Sequence, residues 1–151
     1  MEQKPKVLIL CTHNPTRGGM AEGFLRRMAG ADFISASAGV DAEPVNPLAI
    51  DVMHEIGIDI STQHSKHTAE ALKERFAFVI SVCDQSKERN PIFPFAFRIV
   101  KWSLEDPEEG GGSHEEQLSR FRRVRDLIER NVQEFLAGPA REAKRELNPA
   151  H

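Results

Sequence analysis

Apolar residues fall into two patterns along the chain: short unbroken runs, and repeats at helical spacing. Lys6-Val7-Leu8-Ile9-Leu10 is an unbroken run, as in a strand covered on both faces in a parallel sheet. Phe76-Ala77-Phe78-Val79-Ile80-Ser81-Val82-Cys83 is a second strong strand. Weaker extended pieces are expected over 33–37, ending at Ala38-Gly39, and over 97–102. Met20, Phe24 and Met28 mark one face of a helix that Gly30 stops. Asn46-Pro47 supplies a cap and a first-turn proline for a second helix, with Ala49, Val52, Met53 and Ile56 inward and Gly57 at its end. A short helical stretch starts at Thr68. After the break Gly110-Gly111-Gly112, Ser113 and Glu116 form a capping box. The long helix it opens carries Leu118, Phe121, Val124, Ile128, Val132 and Phe135 on one side.

This order, β-α-β-α-(α)-β-β-α, predicts an α/β fold: one three-layer α/β/α domain around a four-stranded, mostly parallel sheet. The domain is expected over 1–137, with a polar C-terminal tail over 138–151 that frays around Pro139 and Pro149.

Composition narrows the class. A chain of 151 residues builds one core without disulfides or a structural metal. The longest apolar run, Val7-Leu8-Ile9-Leu10-Cys11, is too short to cross a bilayer. The opening Met1-Glu2-Gln3-Lys4-Pro5-Lys6 lacks the apolar segment of a secretory signal, so a cytoplasmic location is expected. With a formal charge of −3 and no block of like charge, neither nucleic acid nor a membrane is an expected partner. In Arg120-Phe121-Arg122-Arg123-Val124-Arg125 the charges interleave with apolar residues at helical spacing, which reads as a solvated helix face. His54, His67, His114 and His151 lack the paired spacing of a zinc site, and neither metal nor cofactor is expected. Two widely separated cysteines in such a protein read as buried or catalytic thiols rather than a structural disulfide.

Their positions carry the chemistry. Ligands of open parallel sheets bind beyond the carboxyl ends of the strands. Cys11 follows the first strand and Cys83 ends the third, which are equivalent ends. Cys11-Thr12-His13-Asn14-Pro15-Thr16-Arg17 has the form Cys-x5-Arg between a strand and a helix. A loop wrapping into a helix N-terminus aims N–H groups inward, and the helix dipole adds positive potential. A cysteine opening such a loop is held as the nucleophilic thiolate. An arginine closing it binds two oxygens of a tetrahedral anion such as phosphate or arsenate.

These residues resemble the low-molecular-weight tyrosine phosphatase superfamily, in particular its thioredoxin-linked arsenate reductase branch. The resemblance rests on Val7-Leu8-Ile9-Leu10-Cys11-Thr12-His13-Asn14, Arg17 and Met20-Ala21-Glu22-Gly23-Phe24-Leu25. It continues through Ser37-Ala38-Gly39-Val40, Val45-Asn46-Pro47, Ile56-Gly57-Ile58-Asp59-Ile60-Ser61, Val82-Cys83-Asp84, and Trp102 with Glu105-Asp106-Pro107. It implies a nucleophile at Cys11, an oxyanion clamp at Arg17 and a general acid at Asp106. It also implies a second thiol at Cys83 that attacks the Cys11–arsenic adduct, leaving a Cys11–Cys83 disulfide. Taken alone, Asp106-Pro107 is a turn starter and Cys83 a small core hydrophobe.

Four positions depart from the family pattern. The third cysteine of the thioredoxin-linked enzymes is here Asn90, before Pro91. Thioredoxin or another thiol would then reduce the disulfide directly. Gly18 replaces a serine or threonine whose hydroxyl supports the thiolate, and Pro15 removes one loop N–H. Each lost hydrogen bond to a charged group is worth about 1.5–3 kcal/mol, leaving Thr12 and Thr16 as the hydroxyls at hand. Several relatives hold a potassium ion behind the loop; Asn14, Glu22 and Ser37 match that set, but Lys66 stands in the aspartate position. An ammonium at Lys66 that replaces the ion and orders Asn14 is one expectation, and an exposed lysine the other. Three functions stay open: arsenate reduction, phosphomonoester hydrolysis through a Cys11–phosphate intermediate, and non-catalytic oxyanion binding.

Overall fold

Val7, Leu8, Ile9 and Leu10 are all buried because their strand lies inside the sheet and is covered on both sides. The computed structural model describes residues 4–11, 16–39, 44–64, 66–71, 73–82 and 96–147. In chain order its elements are β1 (Lys6–Leu10), α1 (Thr16–Ala29), β2 (Ile34–Gly39), α2 (Pro47–His54) and β3 (Lys66–His67). They continue with α3 (Thr68–Ala71), β4 (Phe76–Ser81), β5 (Ala96–Lys101), α4 (His114–Ala137) and α5 (Pro139–Leu147).

The sheet has the order β3-β2-β1-β4-β5, and every pairing is parallel. It therefore has five strands where four were expected. The extra one, β3, is a two-residue edge pairing of Lys66 and His67 with Ala38 and Gly39. A strand that short and polar leaves no apolar signature in the sequence.

Successive residues of a strand point to opposite faces. Val7, Ile9 and Cys11 join Phe78, Ile80 and Val82 in the larger core, with residues of α1, α2 and α4. Leu8 and Leu10 pack on the other face with Ala38, Ala71 and Val79, a cluster that Phe76 joins at the start of β4. Phe33, Phe78 and Phe135 meet in the larger core, Phe78 and Phe135 edge to face at 4.8 Å between ring centroids. The long helix matches its expected face: Phe121, Val124, Ile128, Val132 and Phe135 are buried. Its first turn is closed by Ser113 Oγ, which accepts from Glu116 N–H at 3.2 Å.

Three elements differ from their sequence patterns. Helix α1 is buried nearly all round from Thr16 to Leu25, while Met28 is exposed. Helix α2 stops at His54, so Ile56 leaves the inner face and is exposed; Gly57, at φ +82°, turns the chain back. Past Gly138, where fraying was expected, α5 forms and buries Ala140 and Ala143, and its Glu142 pairs with Arg98 of β5. Alternating charges hide that short apolar edge. Among the described residues, no helix is long and apolar enough to cross a membrane.

Candidate active site

Strand order reverses beside β1: β2 and β3 lie on one side of it, β4 and β5 on the other. Such a reversal opens a crevice at the carboxyl end of the central strands. Cys11 is the first residue past β1 and its N–H donates to Ala38 O at 3.0 Å. Across the sheet Val82 N–H donates to Leu10 O at 3.0 Å. Leu10, the residue before Cys11, is thus registered against Ser81, two residues before Cys83. Cys83 itself lies outside the described residues, as do Thr12, His13, Asn14, Pro15, Asn90 and Pro91.

Both ends of the Cys-x5-Arg loop are described. The pleat turns Cys11 toward the face that carries α1, and it is 2% exposed. A Cβ built on Gly18 would lie 3.3 Å from Cys11 Cβ, so by its first turn α1 has returned to the cysteine. Gln63 Nε2 holds that turn from outside, donating to Gly19 O at 2.9 Å. Arg17, also in this turn, is fully buried. A buried guanidinium is costly unless hydrogen-bonded; here its Nη1 donates to Leu104 O at 2.9 Å. The side chain expected to clamp an oxyanion therefore touches the segment that carries Asp106.

That segment is braced on every side. Arg123 of α4 donates from Nε and Nη2 to Glu105 Oε1 at 2.9 and 2.6 Å. Arg120 Nε donates to Pro107 O at 3.3 Å. Glu108 N–H donates to Asp106 Oδ1 at 2.9 Å, an Asp-centred turn. Thr16 Oγ1 donates to Glu108 Oε1 at 3.0 Å, and Asn46 Nδ2 to the same oxygen at 2.8 Å. Thr16, one hydroxyl at hand to support a thiolate, thus donates a hydrogen bond to Glu108. Asn46 also caps α2, its Oδ1 accepting from Leu48 N–H at 2.8 Å.

Sequence reasoning missed these braces. Arg120 and Arg123 were read as part of a solvated face, although their three-residue spacing puts them on one side of a helix. The neighbouring Arg122 and Arg125 are likewise engaged, both with Glu55, whose carboxyl they hold below its ordinary range. Glu108 carried no signal, since its partners lie 62 and 92 residues away in the chain.

Behind the loop, Glu22 is buried. Burial raises its carboxyl above the ordinary range, against the hydroxyl of Ser37 and the guanidinium of Arg26, which favour the charged form. Arg26 is paired directly with Glu22 Oε2. Lys66 reaches Glu74 at 2.7 Å, beside Lys6, and is partly exposed. Among the described residues, the buried carboxylate of Glu22 already carries the Arg26 guanidinium, so a potassium ion fits poorly beside it.

The family described as low molecular weight phosphotyrosine protein phosphatase matches residues 6–147. An arsenate reductase of Halalkalibacterium halodurans is 37% identical over 132 residues, covering 87% of this chain and 95% of that protein. The arsenate reductase of Bacillus subtilis (strain 168) is 34% identical over 129 residues, covering 85% and 93%. A solved arsenate reductase in the phosphate binding state superposes with a TM-score of 0.75 at 32% identity, over 89% of this chain and 98% of the other. One in the oxidized state gives 0.75 at 31% identity, over 88% and 97%.

Proposed function

The chain belongs to the low molecular weight phosphotyrosine protein phosphatase family, and from that premise we propose that it reduces arsenate to arsenite by thiol chemistry. One observation carries the reading most directly. Cys11 and Arg17 are buried together at the switch point, and the Arg17 guanidinium touches the loop that bears Asp106. Extensive similarity to proteins named arsenate reductase supports the choice of substrate.

In this reading the N-terminus of α1 and the Arg17 guanidinium hold the arsenate oxygens. The Cys11 thiolate attacks arsenic, forming an S–As bond, and Asp106 protonates the departing oxygen, which leaves as water. The Cys83 thiolate then attacks Cys11 Sγ. The S–As bond breaks, its electron pair stays on arsenic, and arsenic falls from the +5 to the +3 state as arsenite leaves. Two thiols have become one Cys11–Cys83 disulfide, which balances the two electrons. With Asn90 in place of a third cysteine, an external dithiol of the thioredoxin class or another thiol reduces that disulfide directly.

A second reading, phosphomonoester hydrolysis, is favoured by the family match itself. Water would then attack a Cys11–phosphate intermediate, and Cys83 would be a bystander. The test is intact-mass analysis of fully reduced protein after anaerobic incubation with arsenate. Loss of two hydrogens, abolished by Cys11→Ser and by Cys83→Ser, is the expected outcome. An unchanged mass in protein that hydrolyses an aryl phosphate would replace reductase with phosphatase. Inactivity in both assays would leave oxyanion binding without turnover.

A further inference from the structure

We propose that Glu108 is a positioning residue that latches the acid loop onto the anion-binding loop and thereby sets the carboxylate of Asp106 for proton transfer. The inference rests on the reading of Asp106 as the general acid. Three contacts converge on this one exposed residue. Its Oε1 accepts from Thr16, the residue before the clamp Arg17, and from Asn46, the cap of α2. Its own N–H fixes Asp106 Oδ1. The carboxylate thus lies at the N-termini of two helices, where their dipoles favour a negative charge.

The chain on the far side explains the need for a latch. Glu108 is followed by Gly110, Gly111 and Gly112 at φ +106°, +57° and +94°, a joint without side chains to stiffen it. Leu104 O, Glu105 and Pro107 O are held by Arg17, Arg123 and Arg120, and the Asp106 turn is drawn in by Glu109 N–H on Asp106 O at 3.2 Å. Glu108 closes it against the helix that carries Arg17. An exposed hydrogen-bonded carboxylate contributes little to global stability, so its effect belongs in the rate of the proton-dependent step.

The test compares Glu108→Ala and Glu108→Gln with the unaltered chain, all fully reduced. Gln keeps an acceptor oxygen for Thr16 and Asn46, whereas Ala keeps none. Two readouts are taken: amide hydrogen–deuterium exchange over 102–109, and kcat and KM for arsenate with dithiothreitol as reductant. In Glu108→Ala the exchange is expected to quicken and kcat to fall about 10–100-fold, with KM within about threefold. Glu108→Gln is expected to recover the slow exchange and most of kcat. Unchanged exchange in Glu108→Ala overturns the latch, as does a higher KM at constant kcat or a Gln variant no better than Ala. If the unaltered chain does not turn over arsenate, the proposed function fails separately and the exchange pattern alone decides the latch.

Discussion

The space beside Cys11 is set by a single missing side chain. A Cβ on Gly18 would sit 3.3 Å from Cys11 Cβ, 3.6 Å from Ile9 Cγ2 and 3.8 Å from Ser37 Cβ. That is tight but short of a collision, so a small side chain fits if the neighbours give slightly. A serine there places a hydroxyl within reach of the thiol, the hydrogen bond that the family pattern would supply. Gly18→Ser is therefore expected to lower the pH midpoint for alkylation of Cys11 by iodoacetamide relative to Gly18→Ala, which adds the same carbon without the donor. Equal midpoints for the two variants would mean the hydroxyl does not reach the thiolate. At this scale the sequence was legible where chemistry follows local order: the Cys-x5-Arg spacing between a strand and a helix singles out Cys11 and Arg17, and both are buried at one strand end. It was not legible where a role depends on distant partners. Lys66 has two expectations in the sequence, an ammonium that orders Asn14 or an exposed lysine, and its partly exposed ammonium is paired with Glu74, 8 residues on.

At the scale of the element, α1 departs most from its pattern. An amphipathic helix packs one stripe, but this one is enclosed through Leu25 by the sheet, by α4 and by the segment after α2. Gly23 marks the closest approach: its absent Cβ would fall 2.8 Å from Ile60 Cγ2 and 3.1 Å from Ile58 Cγ2. Those methyls sit on branched carbons with few rotamers, so they cannot swing aside. Gly23→Ala is expected to destabilise the fold by about 1–3 kcal/mol through overpacking, less the roughly 1 kcal/mol gained in helix propensity. A lower urea midpoint at unchanged slope would show it. A midpoint that rises would mean the helix shifts freely and its enclosure is looser than the geometry suggests. The caps of α2 and α4 were legible because capping is local chemistry. The enclosure of α1 was not, because Arg26, Arg27 and the glycines give no hint of what covers them.

For the whole molecule, α4 joins two ends with different tasks. It starts at His114 just past the Asp106 loop and runs 24 residues, about 36 Å at the usual rise, before α5 turns back against it. Helix α5 therefore lies far from Cys11, held by Ala140, Ala143 and the Glu142–Arg98 pair. A chain ending at Ala137 is expected to melt several degrees lower, yet bind phosphate with unchanged affinity. Calorimetric melting and isothermal titration check the two halves of that statement. Weakened binding would mean that α5 supports the site through α4. The parallel α/β plan was readable from two buried strands and the helices between them; the two-residue fifth strand and the last helix, which among the described residues buries Ala140 and Ala143, carry too little apolar pattern to be read.

The Asp106 loop grows directly out of the sheet at Trp102, whose backbone N–H donates to Ser81 O at 2.7 Å and whose ring is almost wholly buried. It is the chain's only tryptophan. Two residues on, Leu104 O is held by the arginine that would receive the anion. The molecule thus carries one intrinsic tryptophan fluorophore at the root of the Asp106 loop, against a background with no tyrosine. The seating of that loop can be followed by emission alone, without a label and without a substrate that turns over.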